Sequence, residues 1–321
     1  MQGDSLAGSL RLRTALAQFY ATQVPLATPV DPSQLVTSSG LSGFLDRVAC
    51  ALCDPGEAIL IPRPYYNAFV EDFGARSEVA VVGAGHEGVT GTLAEVAAVE
   101  AELVRRERTG EAKVRAVLLT NPHNPLGLCY PREVLVAYAR LVERHGLYLL
   151  VDEIYLAGIF NPLPSAPFTS ILSIDSQAEA GCDPSRIVHL YAMSKDFGCN
   201  GFRVGVAVVR DAELYQGVMN GAFAAKIGSP SVSPSRDLIR VLPQTLNSLS
   251  IFAGRALVRP AQLSPARHLP RPQSAAAPRG PHPCRRLPRL ARDPLLPSLR
   301  RTLPHDRPLP LPDLARECLR R

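Results

Sequence analysis

Tryptophan is missing from this 321-residue chain, and lysine nearly so: three lysines stand against 32 arginines. No run of 18 apolar residues occurs, which excludes an ordinary membrane-spanning helix. The opening MQGDSLAGSLRLRTALAQFY has no apolar stretch of secretory-leader type. The seven cysteines, an odd number, predict reduced thiols in a cytoplasmic setting. Seven histidines fall at no ligand-like spacing, so no metal is expected.

What is present divides sharply. Residues 1–254 carry 20 basic against 25 acidic side chains, whereas 255–321 carry 15 arginines against four acids, together with 14 prolines. The basic character therefore belongs to the tail and says nothing about partners of the main body. No helix or strand period survives that proline density. We expect an ordered domain over 1–230 and a tail over 231–321 that is disordered or read out of frame. Nucleic-acid binding by the tail is not expected, because no aromatic residues interleave its arginines.

Within the body, apolar runs alternate with amphipathic ones. Strands are predicted at LVTSS, AILIP (58–62), SEVAVVG (77–83), VRAVLLT (114–120), LYLLV (147–151), IVHLYAM (187–193) and FRVGVAVV (202–209). Helices are predicted over 5–20, with Leu6, Leu10, Leu12, Leu16 and Phe19 on one face, and over 43–53. Two more cover 92–109, with Thr92 and Glu95 as a capping box, and 131–145, closed by Gly146. This alternation predicts an α/β fold: a mostly parallel sheet with helices on both faces. Ligands bind such sheets beyond the carboxyl ends of the strands. That edge gathers the turn after LVTSSG, Asn121–Asn124, Asp152 and Lys195.

A lysine in an arginine-biased chain does what arginine cannot: it loses its proton and forms an imine. Lys195 lies in YAMSKDFGCNGFRVG, between a strand and a glycine-rich turn. The other needs of a pyridoxal phosphate site have candidates on the same edge. Asp152 would keep a proton on the pyridine nitrogen. Asn124 and Tyr155 would bond its phenolic oxygen. Tyr66 or Tyr65 would stack on the ring. Leu41 and Ser42, after Gly40 at a helix start, and Arg203 would hold the phosphate. Plainer readings stand beside these: Ser42 as a helix cap, and Asn124 and His123 as turn-formers in NPHNP.

Two other motifs carry less. Gly83, Gly85 and Gly88 match the dinucleotide pattern, but the next helix starts too late to face a pyrophosphate. Cys50 and Cys53 form a lone C-x-x-C inside a helical run and are expected to be core or semi-buried thiols.

The order of DPGEAILIPRPYY, TNPHNPLG, LVDEIY and SKDFGCNGFRVG resembles the fold-type I pyridoxal phosphate enzymes of the class I/II aminotransferase family, with the nearest likeness to 1-aminocyclopropane-1-carboxylate synthase-like proteins. The resemblance runs from about residue 3 to residue 230. It implies the large domain of that fold, the cofactor pyridoxal 5′-phosphate and an amino-acid substrate. The activity implied is transamination or the cyclopropane-forming elimination. A homodimer is implied as well. By likeness Lys195 is the Schiff-base lysine, Asp152 the ring-nitrogen partner, and Tyr155 and Asn124 the ring-oxygen partners. Arg203, Leu41 and Ser42 are the phosphate ligands, and Tyr66 is the stacking ring. The chain departs from the pattern in four ways. Ala192 stands where many relatives have a phosphate-binding serine, a contact that Ser194 would partly replace. Neither the family's N-terminal arm nor its tyrosine precedes the first helix, and 231–321 holds nothing like the "GWFR" carboxylate arginine. These departures leave open a catalytically silent member that binds cofactor or a protein partner.

Overall fold

The computed structural model describes residues 5–159 and 167–224. Seven strands form one sheet: Leu35–Ser39 (β1), Ala58–Pro62 (β2), Ala80–Ala84 (β3), Val114–Thr120 (β4), Tyr148–Asp152 (β5), Ile187–Ala192 (β6) and Val204–Val208 (β7). Their order is β1-β7-β6-β5-β4-β2-β3. β7 runs antiparallel to both neighbours, and every other pairing is parallel. Among the described residues eight α-helices accompany them: Leu10–Gln23 (α1), Gly40–Leu52 (α2), Phe69–Gly74 (α3), Leu93–Thr109 (α4), Arg132–His145 (α5), Ser176–Ala180 (α6), Met193–Asp196 (α7) and Ala212–Ala224 (α8). None is long and apolar enough to cross a membrane.

The period of two in the central strands divides the core into two layers. Val117 and Leu119 of β4 join one layer with α1, α4 and α5. Ala116 and Leu118 join the other with α2, α3 and α8. Strands buried on both faces have to be apolar throughout, which is why VRAVLLT and LYLLV read as continuous runs.

Local chemistry moves several boundaries from their expected places. The first helix begins at Leu10, because Ser9 caps it by accepting from the Leu12 amide. Leu6 and Leu10 are therefore exposed, and the buried face is Leu12, Leu16, Phe19 and Tyr20. The capping box at α4 does not form. Thr92 donates its hydroxyl to the Val89 carbonyl, and Glu95 turns inward to bond the Gly91 amide and the hydroxyls of Tyr130 and Tyr138. A buried carboxylate with three donors outcompetes an exposed cap. The strand expected over 202–209 is confined to 204–208, because Asn200–Phe202 makes a tight turn and Arg203 adopts a left-handed backbone, φ 53°. α2 starts at Gly40, not residue 43, so Leu41 and Ser42 occupy its first turn. Among the cysteines, Cys53 is buried and Cys50 is exposed. All five described cysteines are free, and no cluster among the described residues would hold a metal ion. The expected tail, 231–321, lies outside the described residues.

Candidate active site

The carboxyl ends of β1, β4, β5 and β6 share one edge of the sheet, and the chain enters β7 from the same edge. A cavity of about 210 Å³ opens there. All nine predicted site residues line it: Leu41, Ser42, Tyr66, Asn124, Asp152, Tyr155, Ser194, Lys195 and Arg203. Tyr65 does not; it packs against the layer that contains α2.

Each side chain is set by a local device. Asp152 closes β5, where its carbonyl accepts from Asn121 and its Oδ1 from the Ile154 amide, 3.0 Å. It is buried, and no salt-bridge partner lies within reach among the described residues. Desolvation therefore pushes its carboxyl up to about 7. Asn124 sits in a turn tied down by Asn121, whose side chain donates to the Thr169 carbonyl and accepts from the Tyr130 amide. His123, read as a turn-former, accepts from the Leu126 amide within that same turn. Lys195 occupies the short α7, directly after β6, and its side chain reaches the cavity from an exposed position. Tyr155 is half-buried, and its hydroxyl titrates above the ordinary range through desolvation and the nearby Asp152. Tyr66 is 43% exposed, its ring edge-on to Phe69.

The phosphate-holding candidates converge on the start of α2. The left-handed φ of 73° and the bare Cα of Gly40 let the Arg203 guanidinium lie across the helix N-terminus; a Cβ there would collide with Arg203 Nη2. Behind it Gly205 packs on the Gly40 backbone, where a Cβ would stand 2.5 Å from the Gly40 carbonyl. Ser39, the N-cap residue, makes no side-chain cap bond. The Gly40 amide donates to the Arg203 carbonyl, and Leu41 and Ser42, in the first turn of this 13-residue helix, line the cavity beside the guanidinium, an arrangement suited to an anion.

Sequence reasoning missed Asp72, Thr120 and Asn200, which also line the cavity. Thr120 is the last residue of β4 and was legible by the strand-end rule. Asp72 comes from α3, and nothing in its local sequence points to the cavity. Burial raises its carboxyl, while Ser42 and Arg203 act in the opposite direction. A roomier cleft, about 630 Å³, lies between the C-terminal ends of α4 and α5. Its arginines are matched, Arg106 by Glu111, Arg115 by Glu57 and Arg144 by Glu100, and no carboxyl end of a strand opens into it.

The dinucleotide-like glycines do not form a phosphate loop. Gly83 lies within β3, and α4 begins only at Leu93.

With this geometry in hand, the class is plain from comparison. The profile of the family "Aminotransferase class I and II" matches residues 5–247. The chain belongs to that family, and the match continues past residue 230. It is 37% identical over 233 residues to the probable aminotransferase aclI of Aspergillus oryzae, covering 72% of this chain and 54% of that protein. It is 36% identical to 1-aminocyclopropane-1-carboxylate synthase 1 of Cucurbita pepo, over 62% of this chain and 39% of that one. It is 32% identical to a probable inactive 1-aminocyclopropane-1-carboxylate synthase-like protein 2 of Mus musculus, over 67% of this chain and 37% of that one. The chain thus spans about half, or less, of these relatives' length. Among solved structures, an aspartate aminotransferase of Thermus thermophilus superposes with a TM-score of 0.61 at 23% identity, covering 79% of this chain and 60% of that chain. That likeness shows the fold.

Pyridoxal 5′-phosphate is the cofactor of this family. The residues present fit it. Among the described residues the buried Asp152 carboxyl has no cation within salt-bridge distance, a place that suits a protonated ring nitrogen, and the first turn of α2 with Arg203 suits a phosphate. Lys195 opens into the space between them.

Proposed function

We propose that this chain holds pyridoxal 5′-phosphate through Lys195 and transforms amino acids, as an aminotransferase or a 1-aminocyclopropane-1-carboxylate synthase-like enzyme. The observation that carries this is the convergence of Lys195, Asp152 and Arg203, drawn from three separate segments, on one cavity. Bound there, the cofactor supplies an electron sink for carbanion chemistry at an amino-acid α-carbon. Asp152 holds the proton on the ring nitrogen, and its own desolvation is relieved by that cation. Tyr155 and Asn124 fix the ring oxygen, Tyr66 covers a ring face, and Arg203, Ser42, Ser194 and the Leu41 turn take the phosphate. Once displaced by substrate, Lys195 Nζ is placed to move a proton at the substrate α-carbon.

The test is to mix the protein with pyridoxal phosphate and record its visible absorption band, then repeat with Lys195→Ala. The band is expected in the wild type and lost in the variant. No band in the wild type sinks the reading. The family likeness extends the proposal to a homodimer, which a monomer in sedimentation would refute, and the free cysteines extend it to a cytoplasmic setting.

One observation favours a second reading, a cofactor-holding scaffold without turnover. Among the described residues Arg203 is the only arginine lining the cavity, leaving no second guanidinium for a substrate carboxylate. A band that no amino acid in a panel perturbs would support the scaffold.

A further inference from the structure

The residue after Lys195 is an aspartate that faces away from the cavity, and its partners are unusual. Asp196 Oδ2 accepts two hydrogen bonds, one from the Tyr191 hydroxyl at 2.9 Å and one from the Ala157 amide at 2.8 Å. Tyr191 lies on β6, the strand that delivers Lys195. Ala157 lies two residues beyond Tyr155, in the turn that follows β5. The carboxyl has no arginine or lysine within salt-bridge distance among the described residues. Gly158 makes room for it: a Cβ there would stand 3.0 Å from Asp196 Oδ1.

Leu156 buries its side chain in the core and Ala157 packs beside it, but few hydrogen bonds hold the turn carrying Tyr155. Its internal bonds are local, Leu156 to Glu153 and Gly158 to Tyr155. The Ile154 amide bonds only the adjacent Asp152 side chain. Among the described residues, the Ala157 amide makes the one hydrogen bond from main chain 155–158 to a distant part of the sequence.

We infer that Asp196 is a positioning residue that ties the Tyr155 turn to the Lys195 helix and so sets the distance between the Tyr155 hydroxyl and the lysine-bound cofactor. This inference rests on the cofactor reading proposed above. Two further facts support it. The Tyr191 ring is fully buried and stacked on Phe19, with ring centroids 5.2 Å apart, so the anchor at one end of the tie is rigid. At the other end, the Tyr155 hydroxyl is held above the ordinary range by its burial first, then by Asp152 and Tyr66, with Asp196 acting last in the same direction. Among the described residues, Asp196, Lys195, Asp152, Tyr155, Tyr66, Tyr191 and Tyr20 are titratable groups around this tie.

The consequence is spectroscopic. A hydroxyl donating to the ring oxygen disperses the oxygen's negative charge and weakens its hold on the nearby imino proton. Slackening the tie withdraws that donor, so the pH midpoint of the visible band rises. Asp196→Ala is expected to raise the midpoint by about one pH unit, the scale of a lost hydrogen bond to a charged group. Asp196→Asn keeps an acceptor oxygen and is expected to stay within about a few tenths of a unit of wild type. Tyr155→Phe, which removes the donor outright, sets the full size of the shift. If Asp196→Ala lowers the melting temperature but leaves the midpoint at the wild-type value while Tyr155→Phe moves it, the inference is overturned.

A second measurement needs no cofactor. In the cofactor-free full chain, hydrogen exchange at the Ala157 amide is expected to accelerate about tenfold or more in Asp196→Ala relative to Asp196→Asn. Equal exchange in the two refutes the tie even if no band forms in any variant, an outcome that separately refutes the cofactor reading. Should Asp196→Ala fail to fold, Tyr191→Phe removes one of the two donors; it is expected to raise the midpoint part-way, and an unchanged midpoint there counts against the tie.

Discussion

Asp152 shows how burial sets the state of one side chain. It is an acid at the end of a buried strand; burial pushes its carboxyl up to about 7 against the Ile154 amide and Lys195, which favour its charge. A carboxyl whose folded pKa lies above its unfolded value holds its proton more tightly in the folded state. Its contribution to stability is therefore complete below the unfolded pKa, about 4, and is lost as pH rises towards about 7. In urea unfolding of the cofactor-free protein, wild type is expected to lose about 2 kcal/mol more stability than Asp152→Asn between about pH 5 and about pH 7.5. An equal loss in the two proteins would mean that Asp152 already has a cationic partner.

At the scale of elements, the decisive junction is the one where β1 turns into α2 against the start of β7. Two glycines make it possible. Gly40 gives way to the Arg203 guanidinium, and Gly205 gives way to the Gly40 backbone. Backbone cannot swing aside as a flexible side chain can, so Gly205→Ala is expected to cost about 1–3 kcal/mol. It is also expected to weaken capture of pyridoxal phosphate by displacing Arg203 from the helix start. Gly201→Ala, a few residues earlier, meets nothing within 4 Å and serves as the control. Comparable unfolding midpoints for the two variants would show that the junction is looser than described.

Over the whole molecule, two apolar layers sandwich the sheet, and one charge sits inside the second of them. Arg47 of α2 is buried. Its Nη2 donates to the Thr37 carbonyl and its Nε to the Gly43 carbonyl, while its Nη1 has no partner among the described residues. No acid lies within salt-bridge range among the described residues; the guanidinium stands 6.0 Å from the Phe44 ring centre, and burial brings it down to about 10. A desolvated cation without an anion is a net cost that a thioether of similar length does not carry. Arg47→Met is expected to raise global stability by about 1 kcal/mol or more, measured by chemical denaturation. A loss of stability would show that its two carbonyl bonds outweigh its desolvation.

The sequence alone determined the order of the strands and of α1, α2, α4 and α5, because burial on both faces demands unbroken apolar runs and amphipathic helices demand their own period. It also placed Lys195, Asp152, Asn124 and the start of α2 on one edge, since in a parallel sheet every strand end faces the same way. What it left undecided needed the third dimension. Glu95 abandons its cap because Tyr130 and Tyr138, far along the chain, bring it two hydroxyls. Asp72 enters the cavity only because α3 packs beside α2. Tyr66 is separated from Tyr65 by which of the two faces the layer of α2 and which faces the opening. Such contacts join residues with no sequence relation, so no local pattern encodes them, and only the packing of the folded chain decides where they fall.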